Sequence, residues 1–468
     1  MRGQVYFEAD WRREALRTNL WLVPVLTTVA VVVLFALTYT VDRTAYDGII
    51  TLPSFVLNGS ADSARVVLAT VAAAIITVVG IVFSITIVAL TLASTQFGPR
   101  MLRNFVRDPG TQIALGTFVA SFCYAMIALV SVGGGPHGDF VPHLSITVTF
   151  MLTLADVAVL IFFLNHIATM IQLPVVIARI AGTLAVEIAA LDHGESDGLG
   201  ARRGPSHEEL LAKMVESGAS IRTPHSGYLQ VIRHDVLLDI ATKANAVVQL
   251  PYRPGHFLVA GQVMAWVWPP EAAPAVADRL ALGHVTGAYR TLPQDISFGF
   301  DQLVEIALRA LSPAVNDTFT GMTCIDWIAD CLCRISTSWR PQRIRRDAEG
   351  NIRVIAYVAD FNRLVERTFD TIRQAAAGMP AIMIRQLEAL AKVIEQTPDR
   401  VRQTVLIREA DAIQRLNLAT VTEPTDRDDV TTRYEIVMAL VDPNAPPRLA
   451  DVKPISDGLG YDKAAPAV

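Results

Sequence analysis

An aspartate and a histidine lie inside one of the most apolar stretches of the sequence, Leu144 to Leu173. Asp156 falls near the middle of this stretch, and His166 follows ten residues later. A carboxylate at membrane depth is costly, so it marks either a functional site or a hydrogen-bonded structural contact. Both interpretations of Asp156 stay open. His166 is interpreted either as an interfacial histidine with its hydrogen bonds satisfied or as a member of a proton relay.

A second feature is a row of hydroxyl groups in the apolar segment from Val66 to Gln96. They recur every seven residues on one face of a predicted helix, and the row consists of Thr70, Thr77, Ser84 and Thr91, with Thr95 nearby. Small polar residues of this kind let membrane helices approach closely and bond across the contact. The competing hypothesis is that several copies of the row line a polar pore.

Three arginines follow this segment after a predicted bend at Pro99. Arg100, Arg103 and Arg107 recur at helical spacing, which places three cations on one face of a short helix. They are interpreted either as anchors to anionic lipid headgroups or as a cationic ring at the cytoplasmic mouth of a pore.

The polar half of the sequence contains one candidate ligand pocket. It consists of Asp295, Ser312, Asn316, Asp317 and Thr320, most of them where a helix is predicted to begin. A helix N-terminus can bind an anion, although the same residues also cap helices without binding any ligand. Both hypotheses are kept.

Other chemistry is weakly supported. The sequence has no nucleophile elbow, phosphate-binding loop or HExxH zinc motif, so we predict no catalytic residues, no cofactor and no enzymatic activity. The four cysteines lack metal-ligand spacing and are predicted to be reduced thiols rather than a metal site. The net charge of −5 argues against nucleic acid as a partner.

The elements that must position these residues follow from hydropathy. The chain is 52% hydrophobic and only 18% charged, so part of it must lie in lipid. Segments of about 20 apolar residues can span a bilayer. The predicted spans are Leu20 to Val41, Val66 to Ser94, Gln112 to Val132 and Leu144 to Leu173. Val66 to Gln96 would form a helix about 46 Å long, which exceeds the roughly 30 Å of hydrocarbon.

Arginine counts predict the orientation of these spans. Four arginines precede the first span and three lie between the second and third, whereas the opposite loops hold two and none. The positive-inside rule therefore predicts that both termini are cytoplasmic.

The predicted fold is a membrane domain of four α-helices followed by a cytoplasmic α+β domain. In the latter, short strands near 227–232, 247–250, 257–260 and 263–267 suggest a small β-roll resembling a barrel-sandwich module, and a mainly helical part follows. The predicted domains are an interfacial N-terminal segment at 1–19, the transmembrane domain at 20–173, a connecting helix and linker at 174–205, the α+β domain at 206–441 and a disordered tail at 442–468.

Three sequence runs resemble the bacterial family catalogued as domain of unknown function 2254, described as predicted membrane proteins. They are Ser94 to Asp108, Ser226 to Trp268 and Gln294 to Thr320, and the likeness extends over roughly Arg12 to Val421. The resemblance implies an architecture but no reaction, substrate or site residues.

Two hypotheses about function follow from these residues. The first is a homo-oligomeric ion channel or transporter of the bacterial inner membrane, regulated by its cytoplasmic domain. The second is a membrane-anchored sensor or scaffold whose cytoplasmic domain binds a ligand, without transport. The expected partners are the lipid bilayer, further copies of the chain and a small ion or ligand.

Overall fold

The computed structural model describes residues 22–54, 56–97, 108–135, 138–191 and 204–441. The chain forms two compact units, the first ending at Val176 and the second beginning at Ile177. The predicted disordered tail at 442–468 and the predicted N-terminal segment at 1–19 lie outside the described residues.

The first unit is a helical bundle. Its elements are α1 (Leu22–Tyr46), α2 (Ala61–Phe97), α3 (Pro109–Ser131), a hairpin of β1 (Gly133–Gly135) and β2 (Gly138–Phe140), and α4 (His143–Met170). All four predicted apolar helices are therefore confirmed as helices, and the described part of α2 is 37 residues long.

The helix α3 holds this bundle together, because it packs against α1, α2 and α4. Much of its buried surface comes from small residues, including Ala114, Gly116, Ala120, Ala125 and Ala128. Small side chains let helix backbones approach closely, and close packing drives helix association in lipid, where apolar surface is matched by the acyl chains. The same logic applies to α2, whose buried positions include several alanines.

A fifth helix, α5 (Leu173–Leu191), is also long and apolar enough to cross a membrane, so the described chain has five candidate spans. The predicted count of four spans is not confirmed, since length and composition do not separate α5 from the others. The part of α5 inside the second unit has a packed face of its own. Leu184 lies against Gly299, and the Ala181 carbonyl accepts a hydrogen bond from the Cys331 Sγ at 3.8 Å.

The second unit begins with a mixed α/β region. Its elements are α6 (His207–Ser217), β3 (Ala219–Arg222), β4 (Gly227–Ile232), α7 (His234–Lys243), β5 (Val247–Leu250), β6 (Phe257–Leu258), β7 (Val263–Trp268), α8 (Ala273–Leu280) and β8 (His284–Gly287). The four predicted strands are confirmed.

A helical region follows, and it contributes two more strands to the sheets. Its elements are α9 (Ile296–Ala310), α10 (Thr318–Ser338), β9 (Ile344–Arg346), β10 (Ile352–Ala356), α11 (Phe361–Ala375), α12 (Pro380–Gln396), α13 (Arg400–Thr420) and α14 (Pro424–Ala439). The α+β class of this unit is confirmed.

The described strands of the second unit form two sheets, one of five strands in the order β3-β7-β5-β10-β9 and one of three in the order β6-β4-β8. The strand β10 pairs parallel to β5, so a strand from the helical region completes the larger sheet. This order does not confirm the predicted β-roll. The short strands β3, β8 and β9 escape sequence analysis because each depends on its neighbour in the sheet more than on its own residues.

The strands β9 and β10 pair antiparallel and form a hairpin rich in arginine, called here the arginine hairpin. Its guanidinium groups are partly buried and not fully solvated. Arg353 is 13% exposed and bonds through Nε to Asp347 at 2.7 Å. Burial lowers the pKa of the Arg345 guanidinium below its usual value.

The contact between α11 and α13 buries the carboxyl group of Glu409. Glu409 on α13 is 3% exposed, and its Oε2 atom has no hydrogen-bond partner in the described structure. Burial, followed by the negative charge of Asp370 on α11, raises the pKa of Glu409 to about 7. The protonated form is therefore the one that the fold favours.

Replacing Glu409 with glutamine should stabilise the second unit at neutral and alkaline pH. In the unfolded chain Glu409 has its ordinary pKa of 4.5, so wild-type stability falls as pH rises from about 4.5 to 7 and then stays low. The Gln variant lacks this loss and should be more stable above pH 7 by about 3 kcal/mol. Unfolding curves at pH 5 and pH 8 measure this difference. The exposed Glu216→Gln is the control, and an equal pH response in wild type and E409Q would contradict the prediction.

Candidate functional site

The residues of interest in the first unit lie at three levels along α4. Asp42 contacts Ser145 at the start of α4, Asp156 lies at its middle, and His166 lies near its end. Ser145 and His166 are 21 residues apart, or about 31 Å along the helix axis, which is close to the roughly 30 Å thickness of bilayer hydrocarbon. The bundle therefore carries one polar level near each end of such a span and one halfway between them.

The middle level, called here the central site, consists of Asp156 on α4 and Ser121 on α3. Asp156 is 5% exposed and Ser121 is 1% exposed. The Ser121 Oγ donates a hydrogen bond to Asp156 Oδ1 at 3.0 Å. The Asp156 Oδ2 atom is buried and has no partner among the described residues. Only one of the two carboxylate oxygens of Asp156 therefore has a hydrogen-bond partner among the described residues. This is unusual for a buried carboxyl group, because unpaired buried polar atoms are costly.

The level at the end of α4, called here the histidine site, consists of Asp108, Thr111 and His166. The His166 Nε2 lies 2.7 Å from Asp108 Oδ2. Asp108 precedes α3 and caps it, because the same oxygen accepts hydrogen bonds from the Thr111 backbone N at 2.8 Å and the Thr111 Oγ1 at 3.1 Å. Gly110 leaves the space that the imidazole occupies, since a Cβ there would lie 2.6 Å from His166 Nε2.

The level at the start of α4, called here the capping site, is saturated with hydrogen bonds. Asp42 on α1 accepts from the backbone N of Leu144 at 2.7 Å, and from the Ser145 N and Oγ at 2.9 and 2.7 Å. The Thr38 Oγ1 lies 2.8 Å from the Tyr124 hydroxyl and accepts from Ser145 Oγ at 3.1 Å. A carboxylate at a helix N-terminus satisfies free N–H groups and the helix dipole, so this site fastens α1, α3 and α4.

Sequence analysis named Asp156 and His166 but missed Asp42, Asp108 and Ser121. A signal existed for Asp108, because an aspartate followed by proline is typical of a helix N-cap with proline at the first helical position. No comparable signal pointed to Asp42 or Ser121, since their roles depend on which helix lies opposite.

The hydroxyl row on α2 does not join the central site. Thr70, Thr77, Ser84 and Thr91 are exposed in the isolated chain, whereas the buried face of α2 is formed by residues such as Ala64, Leu68, Ala72 and Val82. The threonine hydroxyls donate to backbone carbonyls four residues earlier, for example Thr77 Oγ1 to the Ala73 O at 2.8 Å. Such bonds satisfy a hydroxyl inside its own helix, so this face tolerates lipid, another copy of the chain or water.

The remaining predicted residues of this region are outside the described parts. Nothing is described of the Thr95 side chain, and Arg100, Arg103 and Arg107 lie between the described ranges. Their assignment to a pore mouth or to lipid headgroups stays a prediction.

In the second unit, four of the five residues of the predicted ligand pocket form the turn and cap between α9 and α10. Asp317 accepts hydrogen bonds from the Thr320 N at 3.0 Å and Oγ1 at 2.6 Å. Ser312 Oγ donates to the Arg309 carbonyl, and Asn316 has a left-handed backbone with φ of 52°. Helix capping accounts for each of these contacts.

Asp295 lies at the opposite end of α9, about 22 Å from that cap along the helix axis. It is fully buried and belongs to a group called here the arginine cluster, formed by Arg253, Arg290, Asp295, Asp301 and Arg367. Arg290 lies 2.8 Å from Asp295 and 2.5 Å from Asp301, Arg253 lies 3.4 Å from Asp295, and Arg367 lies 2.7 Å from Asp301. The structure thus divides the predicted pocket into two parts. One is a helix cap, and the other is an ion network that joins the turn between β5 and β6 to α9 and α11.

Gly255 lets the turn between β5 and β6 reach the arginine cluster. Its φ is +94°, and a Cβ at this position would lie 2.1 Å from Asp295 Oδ2. Gly261, in the turn between β6 and β7, also has a positive φ of +84° but has no heavy atom within 4 Å of its Cβ position. A side chain at Gly255 would therefore cause both backbone strain and a clash with Asp295. A side chain at Gly261 would cause the backbone strain alone.

Replacing Gly255 with alanine should destabilise the second unit by about 3–5 kcal/mol, the cost of breaking a buried ion pair. Gly261→Ala is the matched control and should cost only the strain of a left-handed residue, about 1–2 kcal/mol. Denaturant unfolding of the full chain in detergent, followed by tryptophan fluorescence, compares the two. Equal losses would show that the contact with Asp295 is not what requires glycine.

Metal binding receives no support in the parts of the chain that the structure describes, where no group of three or more His, Cys, Asp and Glu side chains could hold a metal ion. Cys324 and Cys331 are buried, and burial raises the pKa of each thiol to about 12. A thiol in this state is a poor nucleophile and a poor metal ligand.

Comparison with known proteins agrees with this architecture. A family described as "Predicted membrane protein (DUF2254)" matches residues 17–392. An uncharacterised protein of Mycobacterium bovis and two of Mycobacterium tuberculosis strains are each 29% identical over 382 residues, covering 80% of this chain and 72% of the relative. No solved structure matches the chain. The family match covers most of the chain, and we conclude that this protein belongs to the DUF2254 family of predicted membrane proteins.

Proposed function

We propose that the protein is an ion transporter or channel of the bacterial cytoplasmic membrane and that its ion path passes Asp156. The observation that carries this proposal is the unpartnered Oδ2 atom of Asp156 at the middle level of an apolar bundle. A structural carboxylate is expected to be saturated, as Asp42 is. An intramembrane carboxylate with a free oxygen can instead bind a cation during transport.

The proposed topology has four crossings, with both termini and the second unit in the cytoplasm. The packing of Leu184 against Gly299 and the contact between Ala181 and Cys331 support a role for α5 as a connecting helix of the second unit. A helix that crosses lipid would have to expose that face to acyl chains or to other membrane helices. The arginine asymmetry of the loops supports the same orientation.

Reporter fusions test this topology. Green fluorescent protein fused after Val441 should fluoresce, and alkaline phosphatase at the same place should be inactive, because both would be cytoplasmic. Fusions after Gly59, between α1 and α2, should give the reverse result and serve as the control. A fifth crossing by α5 would reverse the Val441 pair and leave the Gly59 pair unchanged.

The proposed assembly is a homo-oligomer in which exposed faces of α2 meet. The described helix α2 is about 55 Å long, so it extends well beyond a hydrocarbon core of roughly 30 Å. Its hydroxyl row is exposed and lies on a different face from the residues that pack in the first unit, and small polar faces of this kind suit contacts between helices of neighbouring subunits. In this proposal the second unit regulates transport from the cytoplasmic side.

Ion flux in proteoliposomes tests the transport function. Asp156→Asn keeps the size of the side chain and its bond to Ser121 but removes the ionisable group, so flux should fall about tenfold or more, equivalent to about 1.4 kcal/mol in the barrier. Thr91→Val alters the hydroxyl row and should have a smaller effect if the path passes Asp156. Thermal unfolding of each variant should match that of wild type, which excludes misfolding as the cause.

The alternative function is a membrane-anchored sensor or scaffold without transport. Val315 and Phe319, close together in sequence at the start of α10, are 55% and 74% exposed, and exposed apolar groups often mark interaction surfaces. The flux measurement separates the two functions. A purified oligomer that carries no ion under several gradients would overturn the transport proposal and favour the sensor.

A further inference from the structure

The donor atoms of the central site are too few for a metal cation. Asp156 supplies two carboxylate oxygens and Ser121 one hydroxyl, which already donates to Asp156 Oδ1. Calcium takes six to eight oxygen ligands and magnesium requires an octahedron, and dehydrated alkali ions likewise need several oxygens. Nearby hydroxyls on α4 are directed to the backbone, as with Thr153 Oγ1 and the Thr149 O at 2.8 Å. A proton needs only one oxygen lone pair.

The distribution of charged residues around the central site also favours a proton over a metal cation. The described helices α1 to α4 contain two basic side chains apart from histidine, Arg43 and Arg65, and both lie at the end of the bundle that holds Ser145. Ser145 is about 16 Å from Asp156 along α4. An ionised Asp156 would therefore lack a neighbouring cation among the described residues, and protonation is the remaining way to make it neutral.

The other titratable groups described on the surrounding helices are not hydrogen-bonded to Asp156. Those described are Tyr39, Asp42 and Tyr46 on α1, Asp62 on α2, Cys123 and Tyr124 on α3, and His143 and His166 on α4. At the capping site Asp42 accepts from Ser145, and the Tyr124 hydroxyl is hydrogen-bonded to Thr38. Asp62 is paired with Arg65 at 3.0 Å. The histidine site is thus the remaining titratable pair buried in the bundle on the opposite side of Asp156.

The histidine site has the chemistry to exchange protons with solution. The His166 side chain is 24% exposed, whereas its partner Asp108 is 6% exposed. An imidazole ring nitrogen can donate or accept a proton, which is the chemistry of a proton shuttle. With Nε2 directed to Asp108, the Nδ1 atom is the position at which a proton can be gained or lost.

Ten residues of α4, about 15 Å along its axis, separate His166 from Asp156. That distance exceeds one hydrogen bond, so a proton must pass through bridging groups or waters.

From these observations we propose that the ion carried past Asp156 is the proton, and that His166, paired with Asp108, loads or unloads it at one membrane face. This inference rests on the proposed transport function and narrows it to one substrate. In the loading step a proton from solution adds to His166 Nδ1 and gives an imidazolium beside the Asp108 carboxylate. Transfer through the bridging groups returns His166 to its neutral form and adds the proton to Asp156 Oδ2. Release to the other face restores the carboxylate, so charge and atoms balance without a redox partner.

Proteoliposomes with trapped pyranine test the proposal directly. A potassium gradient with valinomycin sets the membrane potential, and the internal pH reports proton movement. Wild type should carry protons, Asp156→Asn should reduce the rate about tenfold or more, and His166→Gln should reduce it and change its pH dependence. His143→Gln is the matched control, because His143 lies at the other end of α4 and contacts the Leu57 carbonyl instead of a carboxylate.

The outcomes separate this inference from the function on which it rests. Sodium or potassium flux that needs no pH change and is lost in Asp156→Asn would keep the transport function and overturn the proton assignment. Absence of all flux would overturn both. A second readout is the infrared carbonyl band of a protonated carboxylic acid, which should titrate in wild type and disappear in Asp156→Asn. A wild-type spectrum without that band at any pH would also overturn the proton assignment.

Discussion

The structure of the first unit depends on one constraint: a polar group inside lipid must find its partner within the protein. The Asp42 carboxylate shows how the chain meets it. By accepting three hydrogen bonds from the first turn of α4, it satisfies free N–H groups and its own charge at once. The same contact fixes where α4 begins relative to α1. Asp108 does the equivalent for α3 at the other end of the bundle.

Against this background, Asp156 is the exception. It is as buried as the other two carboxylates, yet a single hydroxyl contacts it. A buried carboxyl group that lowers stability and lacks a full set of hydrogen bonds is commonly a functional residue, because its partner arrives with the substrate. The contrast among three aspartates in one bundle is therefore more informative than the presence of an aspartate in an apolar segment.

In the second unit, the charges of the arginine cluster are paired with one another instead. In the arginine cluster each carboxylate meets two guanidinium groups, and Gly255 removes the side chain that would separate the turn from Asp295. The cluster has one more cation than anions, and its third cation, Arg367, is largely exposed to solvent. Such a network ties together elements from distant parts of the sequence.

The sequence by itself determined the apolar helices, four strands and the mainly helical part of the second unit, and the family, because hydropathy and local propensity act over neighbouring residues. It also determined that Asp156 and His166 are unusual. Only the tertiary structure decided that Ser121 and Asp108 are their partners, that the hydroxyl row faces away from them, and that Asp295 is separated from Asn316 by the length of α9. Those facts depend on which helix faces lie opposite each other. Burial of the arginine hairpin and the order of the two sheets were decided in the same way, since strand pairing and desolvation arise from contacts between residues far apart in the chain.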